Sequence, residues 1–250
     1  MLEKAWCRTS RGLGSVKNRL YVFPTHHMRL EMKPKRAVLL SFSVIAVCIV
    51  SFEFFDRPAA RFCATVDYRI KEIFELITPL GLSTPYLAAA LAGFIYLRFV
   101  KKNAILANAA AFLLAAVALS GLANDLAKVL VGRSRPGLLI SHGVYGFKPF
   151  TNQYYYASFP SGHANTIAAL CYGLGVVTGR FRHILLSIAL AVMASRVIVG
   201  AHFPSDVLFG AYLGVVVTEL IAVGFEKKGV VITRKPGKAP PQATEKTDAI

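Results

Sequence analysis

Acidic residues are scarce in this chain. Thirteen Asp and Glu stand against 29 Lys and Arg, a formal net charge of +16. In a soluble protein that imbalance would suggest a nucleic-acid partner, but no nucleic-acid-binding motif accompanies it. Much of the excess sits at the two chain ends, beside apolar runs. There it reads as topology signal and as attraction to anionic headgroups, and no nucleic-acid partner is expected. Cysteine is also scarce. Cys7, Cys48, Cys63 and Cys171 form no CxxC pair, and two of them lie inside apolar runs. That argues against a disulfide framework and against a cysteine zinc site. Residues 1–36 lack any sustained period and carry nine basic side chains against Glu3 and Glu31.

What the chain has in abundance is apolar sequence. Hydrophobic residues make up 55% of its 250 positions, and they cluster into runs long enough to cross a bilayer. The expected class is an all-α, polytopic membrane protein with a bundle of six transmembrane helices. Residues 1–36 read as a basic cytoplasmic tail, 37–225 as the membrane domain, and 226–250 as a basic Pro/Gly/Ala-rich tail without fixed structure. Met28 and Met32 are alternative starts. The run Ala37–Phe55 is too long for a secretory h-region and has no convincing cleavage site, so it reads as an uncleaved anchor.

Residues 56–83 are mixed in charge. Within them Ile70, Ile73, Phe74 and Ile77 recur at helical spacing, which predicts a short amphipathic helix at the interface, ended by Pro79 and Gly81. Further helices are expected over about 84–100, 104–131, from Ser161 to Gly179, over 184–200 and over 204–224. Residues 132–158 form a polar, aromatic-rich loop. With six spans both termini share a side. The basic tails, Arg98/Lys101/Lys102 and Arg180/Arg182 all fall on it, so it is the cytoplasmic side. Loop 132–158 and turn 200–204 then face the periplasm.

Three segments carry chemistry. The first is Lys128, six residues, then Arg135-Pro136. The second is Pro160-Ser161-Gly162-His163. The third is Ser195-Arg196, five residues, His202, three residues, Asp206. Topology alone, derived without these motifs, brings all three to one bilayer face. A transferring phosphoryl group spreads charge over three oxygens. Lys128, Arg135 and Arg196 supply cationic donors for it. Ser161 can cap the helix whose first-turn N–H groups point at an anion, and Gly162 lets that backbone come close. Asp206 lies four residues after His202, with Pro204 marking a helix start between them. This makes His202 and Asp206 the nucleophile pair and leaves His163 as general acid, then as base on water. Each motif alone is weak. Eleven specified positions in order, each matched by chance about one time in twenty, are not coincidence.

Beyond the motifs, Arg133 reads either as a cation for a second anionic group on a lipid or as an interfacial arginine on a headgroup. Asp125 reads as a structural partner for a nearby cation, His142 as a surface residue, and Tyr154–Tyr156 with Phe147 and Phe150 as interfacial anchors. Glu219 falls toward the cytoplasm, away from the chemistry.

These three segments resemble the tripartite signature of the type-2 phosphatidic acid phosphatase superfamily, over roughly residues 84–224, with no motif residue missing. The resemblance implies a six-helix fold and no metal or other cofactor. It assigns phosphate binding to Lys128, Arg135, Arg196 and the Ser161-Gly162 backbone, the acid role to His163, and the nucleophile pair to His202 and Asp206. The expected partners are a membrane lipid phosphate and the phospholipid bilayer. Within the superfamily the chain resembles the lipid A 1-phosphatase branch, and Arg133 and Lys148 suit a multiply anionic headgroup. Undecaprenyl diphosphate, phosphatidylglycerophosphate and phosphatidate are alternative substrates, and transfer to a second lipid hydroxyl is an alternative reaction. A vanadium haloperoxidase is disfavoured by the lipid-embedded spans, and a non-enzymatic transporter or scaffold by the complete motif set. The expected site is the outer face of the cytoplasmic (inner) membrane. A cysteine placed in loop 137–158 should react with a membrane-impermeant thiol reagent on intact cells; labelling only after lysis would overturn the outward-facing site.

Overall fold

The structure, a computed structural model, describes residues 34–232. Cys7, the alternative starts Met28 and Met32, and nearly all of both basic tails lie outside the described residues. Helix α1 (Pro34–Val50) runs through a π-helical turn (Ser51–Phe55) into α2 (Asp56–Thr65). Helix α3 (Tyr68–Ile77) leads through a 3-10 turn (Thr78–Gly81) to α4 (Ser83–Ile95), which ends in a second π-helical turn (Tyr96–Val100). Then come α5 (Ala104–Val131), the short α6 (Pro136–His142), a 3-10 turn (Tyr154–Tyr156), α7 (Gly162–Thr178), α8 (Arg182–Ile198) and α9 (Pro204–Lys227). No named strand occurs among the described residues.

Local chemistry sets the ends. Asp67 accepts from the Arg69 N–H at the start of α3, and Asn103 accepts from Leu106 N–H at the start of α5, each satisfying an otherwise orphaned donor. Pro136 and Pro204 open α6 and α9, where a missing N–H costs nothing. Helix α5 stops at Gly132, whose φ of +58° is left-handed. A Cβ there would sit 1.8 Å from the Lys148 carbonyl oxygen, so glycine alone lets the loop close over the helix end.

The first membrane helix is longer than the sequence suggests. Ala37–Thr65 forms one helical stretch of 29 residues, because the π turn at Ser51–Phe55 absorbs the change from apolar to mixed sequence without breaking the helix. Asp56, expected to begin the outer segment, is inside this helix and fully buried. The amphipathic helix expected around Ile70–Ile77 is present as α3. Among the described residues four stretches are long and apolar enough to span a membrane: Ala37–Thr65, Tyr68–Val100, Ala104–Val131 and Pro204–Lys227. The second is interrupted at Leu82, whose ψ of 131° is extended. Helices α7 and α8 have 17 residues each.

Helix α7 is the core. It packs against α5, α8 and α9, and most of its residues are buried. Outer helices instead expose large apolar side chains: Leu76 is 81% exposed, Phe62 71%, Phe42 68% and Leu39 67%. Such surface suits hydrocarbon rather than water. Small residues let α9 approach α7 closely. A Cβ on Gly210 would lie 2.5 Å from the Ser161 carbonyl oxygen, and one on Gly214 would lie 2.4 Å from that of Asn165. This is the spacing of a small-xxx-small interface, where van der Waals contact rather than water exclusion joins helices. Gly214→Val should lower the unfolding midpoint in detergent, at an overpacking cost of about 1–3 kcal/mol. Leu220→Val, at an exposed position of the same helix, should leave that midpoint nearly unchanged.

Candidate active site

The three motif segments meet. The C-terminal ends of α5 and α8 and the N-terminal ends of α7 and α9 lie at one end of the bundle. Ser161 N–H donates to the Asp206 carbonyl at 3.0 Å, tying the starts of α7 and α9. The Ala201 and His202 N–H groups donate to the Arg196 carbonyl at 3.1 Å, folding the end of α8 back toward α9. A Cβ on Gly162 would be 3.2 Å from Lys128 Nζ, placing the α5 ammonium against the start of α7. A Cβ on Gly81 would fall 2.7 Å from His163 Cβ, so the 3-10 turn before α4 is pressed against that histidine. Lys128, Arg135 and Arg196 all act electrostatically on both His163 and His202.

Each cation is held by neighbours. Lys128 Nζ pairs with Asp125 Oδ1 at 3.1 Å. Arg135 donates to the carbonyls of Tyr154 (2.9 Å), Ala201 (3.2 Å) and Ala157 (3.4 Å). Its guanidinium also stacks 4.1 Å above the Tyr154 ring. Tyr154, expected to be an interfacial anchor, therefore also orients a motif arginine. Arg196 donates to Thr78 Oγ1 at 3.1 Å. Arg196 Nε and Ser161 Oγ are buried and have no hydrogen-bond partner among the described residues. Ser161 occupies the cap position of α7, but its hydroxyl makes no cap hydrogen bond, contrary to expectation. A free hydroxyl and a free guanidinium N–H beside the start of a helix are the donors a tetrahedral oxyanion accepts.

His202 is 4% exposed. Its Nδ1 lies 2.8 Å from the Ser158 carbonyl oxygen but 3.9 Å from Asp206 Oδ2. The expected direct hydrogen bond between His202 and Asp206 is therefore replaced by a carbonyl. Burial, then the Arg135 and Arg196 charges, hold the imidazole well below the ordinary histidine value, against the pull of that carbonyl. The ring is neutral with one N–H. A carbonyl only accepts, so the proton is on Nδ1 and Nε2 keeps its lone pair, the state a nucleophile requires.

Asp206 serves the same histidine at one remove. Its Oδ2 accepts from Ser158 Oγ at 2.5 Å and from Phe203 N–H at 2.9 Å. Its Oδ1 pairs with Arg133 Nη1 at 2.5 Å. Arg133 is not an interfacial or headgroup arginine: it is 2% exposed. It also donates to Ser205 Oγ (2.7 Å), Asp56 Oδ2 (2.7 Å) and the Tyr145 hydroxyl (2.9 Å). Burial opposes its charge, but Asp206 and Asp56 overcome that and raise its pKa. Burial pushes Tyr145 up to about 12 against the pull of Arg133, and its hydroxyl donates to the Phe52 carbonyl at 2.7 Å.

Sequence reasoning missed Asp56, Thr78, Tyr145, Ser158 and Ser205. Asp56 carried one usable signal, an ionisable residue following directly on an apolar run. The other four carried none. Glu219 is buried and accepts from the Tyr172 hydroxyl at 2.8 Å. Lys148 lies over the Tyr156 ring at 5.5 Å, and His142 pairs with the neighbouring Ser141 hydroxyl.

Residues 109–229 match the PAP2 superfamily. The lipid A 1-phosphatase of Rhizobium johnstonii is 30% identical over 215 residues, covering 82% of this chain and 87% of that relative. The decaprenylphosphoryl-5-phosphoribose phosphatase of Mycobacterium tuberculosis is 33% identical over 136 residues, covering 54% of this chain and 69% of that relative. The crystal structure of the first transmembrane PAP2 type phosphatidylglycerolphosphate phosphatase from Bacillus subtilis superposes with a TM-score of 0.55 at 24% identity, covering 76% of this chain and 96% of that one. That superposition supports the same fold.

The imidazole geometry is testable in solution. In protein labelled with nitrogen-15 histidine in micelles, the His202 signal, identified by its loss in His202→Asn, should stay neutral with the proton on Nδ1 as pH falls through the ordinary histidine range. Titration near the ordinary value would contradict the buried, carbonyl-bound ring.

Proposed function

The chain belongs to the PAP2 superfamily, and on that premise we propose that it removes a phosphate from lipid A, at the 1-position, through a phosphohistidine at the periplasmic face of the inner membrane. It is a phosphoric monoester hydrolase and a membrane lipid phosphatase. The observation that carries the phosphohistidine reading is the convergence of Lys128, Arg135 and Arg196 on two imidazoles, with His202 Nδ1 on a carbonyl and its Nε2 left free.

In the proposed reaction, Lys128, Arg135, Arg196, Ser161 and the backbone around Gly162 hold the phosphoryl oxygens. His202 Nε2 attacks phosphorus, and the bond from phosphorus to the lipid oxygen breaks. With the phosphate dianion bound among the three cations, His163 carries a proton and gives it to that oxygen. Water then attacks the phosphohistidine, neutral His163 takes a proton from it, the P–N bond breaks and inorganic phosphate leaves. Asp206 orients the nucleophile through Ser158. No step draws on a metal or other cofactor.

The surroundings support a lipid substrate. An apolar groove of about 720 Å³ between α1/α2 and the start of α9 is lined by Val47, Val50, Phe55, Phe62, Pro204 and Leu208. A more polar cavity of about 550 Å³ adjoins Arg135, with Ser141, His142, Tyr154 and Tyr155 on its walls. One suits hydrocarbon and the other a headgroup. The two 17-residue helices α7 and α8 fall within the length range of spans. Counted with the four longer stretches, they support the proposed six-span topology, in which the site is outside and both termini are inside. The lipid A assignment rests on the relatives of that name.

Purified protein assayed against lipid A, undecaprenyl diphosphate, phosphatidylglycerophosphate and phosphatidate, with mass spectrometry of the products, should release phosphate fastest from lipid A. Preference for another lipid would replace that substrate, and phosphate appearing on a second lipid would replace hydrolysis by transfer. His202→Ala and His163→Ala should each abolish release, by about a thousandfold or more, while the protein still inserts. Chelators should leave the wild-type rate unchanged; strong loss in EDTA would overturn the metal-free mechanism.

A further inference from the structure

Asp56 lies outside the family-matched region, on the continuous N-terminal helix, yet it is fully buried beside the site. Its carboxylate accepts from Ser51 Oγ at 2.8 Å, from Ser205 N–H at 3.1 Å, from the Ser205 hydroxyl, and from Arg133 Nη2 at 2.7 Å. Four donors occupy its lone pairs, so it is placed neither to bind substrate nor to move a proton. What it contributes is charge and position.

A continuous path leads from it to the nucleophile. Asp56 holds Arg133 at 2.7 Å, Arg133 holds Asp206 Oδ1 at 2.5 Å, Asp206 Oδ2 receives the Ser158 hydroxyl at 2.5 Å, and the Ser158 carbonyl receives His202 Nδ1–H at 2.8 Å. Phe52, Tyr145 and Phe203 surround the Arg133 guanidinium, with ring centroids 4.9, 5.4 and 4.4 Å from its central carbon. They exclude water and fix the plane of the fork.

We propose that Asp56 is a positioning residue for catalysis, which through Arg133, Asp206 and Ser158 fixes the His202 ring and keeps a net negative charge behind it. This rests on the reading of His202 as nucleophile. The physical case is a charge count. Arg133 facing Asp206 alone would cancel the carboxylate. With Asp56 the buried cluster sums to −1. When Nε2 bonds to phosphorus while Nδ1 keeps its proton, the ring becomes cationic. Lys128, Arg135 and Arg196 crowd that new positive charge, and a buried anion on the far side opposes them. Such a charge stabilises the phosphorylated ring more than the neutral one, so it acts on turnover rather than on binding.

The test is Asp56→Asn in the full chain, purified in detergent and assayed on the lipid phosphate that the wild type turns over fastest. The substitution preserves shape and removes the charge. The expected result is a kcat lower by about tenfold or more, a KM within about threefold, and slower phosphohistidine formation in rapid quench. Ser41→Ala is the control, since the Ser41 hydroxyl bonds Tyr212 across the same α1–α9 contact away from the cluster. It should leave kcat unchanged. A wild-type kcat in Asp56→Asn, a loss confined to KM, or an equal loss in Ser41→Ala would overturn the proposal. If Asp56→Asn does not accumulate, Tyr145→Phe, which deletes one hydrogen bond to Arg133, should lower kcat by about threefold at constant KM; an unchanged kcat there would also overturn it. Full activity in His202→Ala would sink the nucleophile reading itself, whereas full activity in Asp56→Asn beside an inactive His202→Ala sinks only the role of Asp56.

Discussion

Arg133, clamped between Asp56 and Asp206, joins three parts of the chain at one point: the first membrane helix, the loop after α5 and the start of α9. Taking three ions out of water costs several kcal/mol each, and only good geometry with additional hydrogen bonds offsets it. Here the Ser51, Ser158 and Ser205 hydroxyls, the Tyr145 hydroxyl and two backbone N–H groups supply those bonds. The cluster is close to fully satisfied, and Ser158, one of its members, presents the carbonyl that sets the His202 tautomer. Most of the geometry behind His202 depends on this one buried arrangement.

In front of His202 the logic is reversed. Among the described residues Arg196 Nε and Ser161 Oγ are left without hydrogen-bond partners, and Arg135 is held by carbonyls and an aromatic face rather than by a carboxylate. Neutral holders position a guanidinium without cancelling its charge. The site therefore separates compensated charge behind His202 from the two guanidinium charges of Arg135 and Arg196 ahead of it, neither of which faces a carboxylate, and this suits a dianionic phosphoryl group. Close helix packing supports the separation. Gly210 brings α9 against the Ser161 backbone, so the start of α7 and the start of α9 are in direct backbone contact.

Much of this was legible in order and chemistry. Apolar run lengths located α4, α5, α7, α8 and α9 to within a few residues, because span length and glycine or proline ends are local properties. Lys128, Arg135, Ser161, Gly162, His163, Arg196, His202 and Asp206 stood out by residue type and spacing, and the charge pattern of the loops assigned them to one end of the bundle. Two inferences from adjacency failed. His202 and Asp206 are one helical turn apart, which suggests a hydrogen bond, but the loop ending at Ser158 inserts its carbonyl and hydroxyl between them. Arg133 sits in a polar loop, which suggests exposure, but the loop folds under the helix ends.

By itself the sequence determined the class of molecule, the order of its helices and the residue types of its candidate site, since these follow from composition, run length and residue type along the chain. Only the tertiary structure decided that Asp56 belongs to the site, that a carbonyl rather than a carboxylate touches His202, and that Arg133 is buried. Those facts depend on partners 72 or more residues apart for Arg133 and 44 for His202. No local pattern encodes which distant donor fills a given lone pair; that is settled when the helices pack and each buried polar group must find a partner.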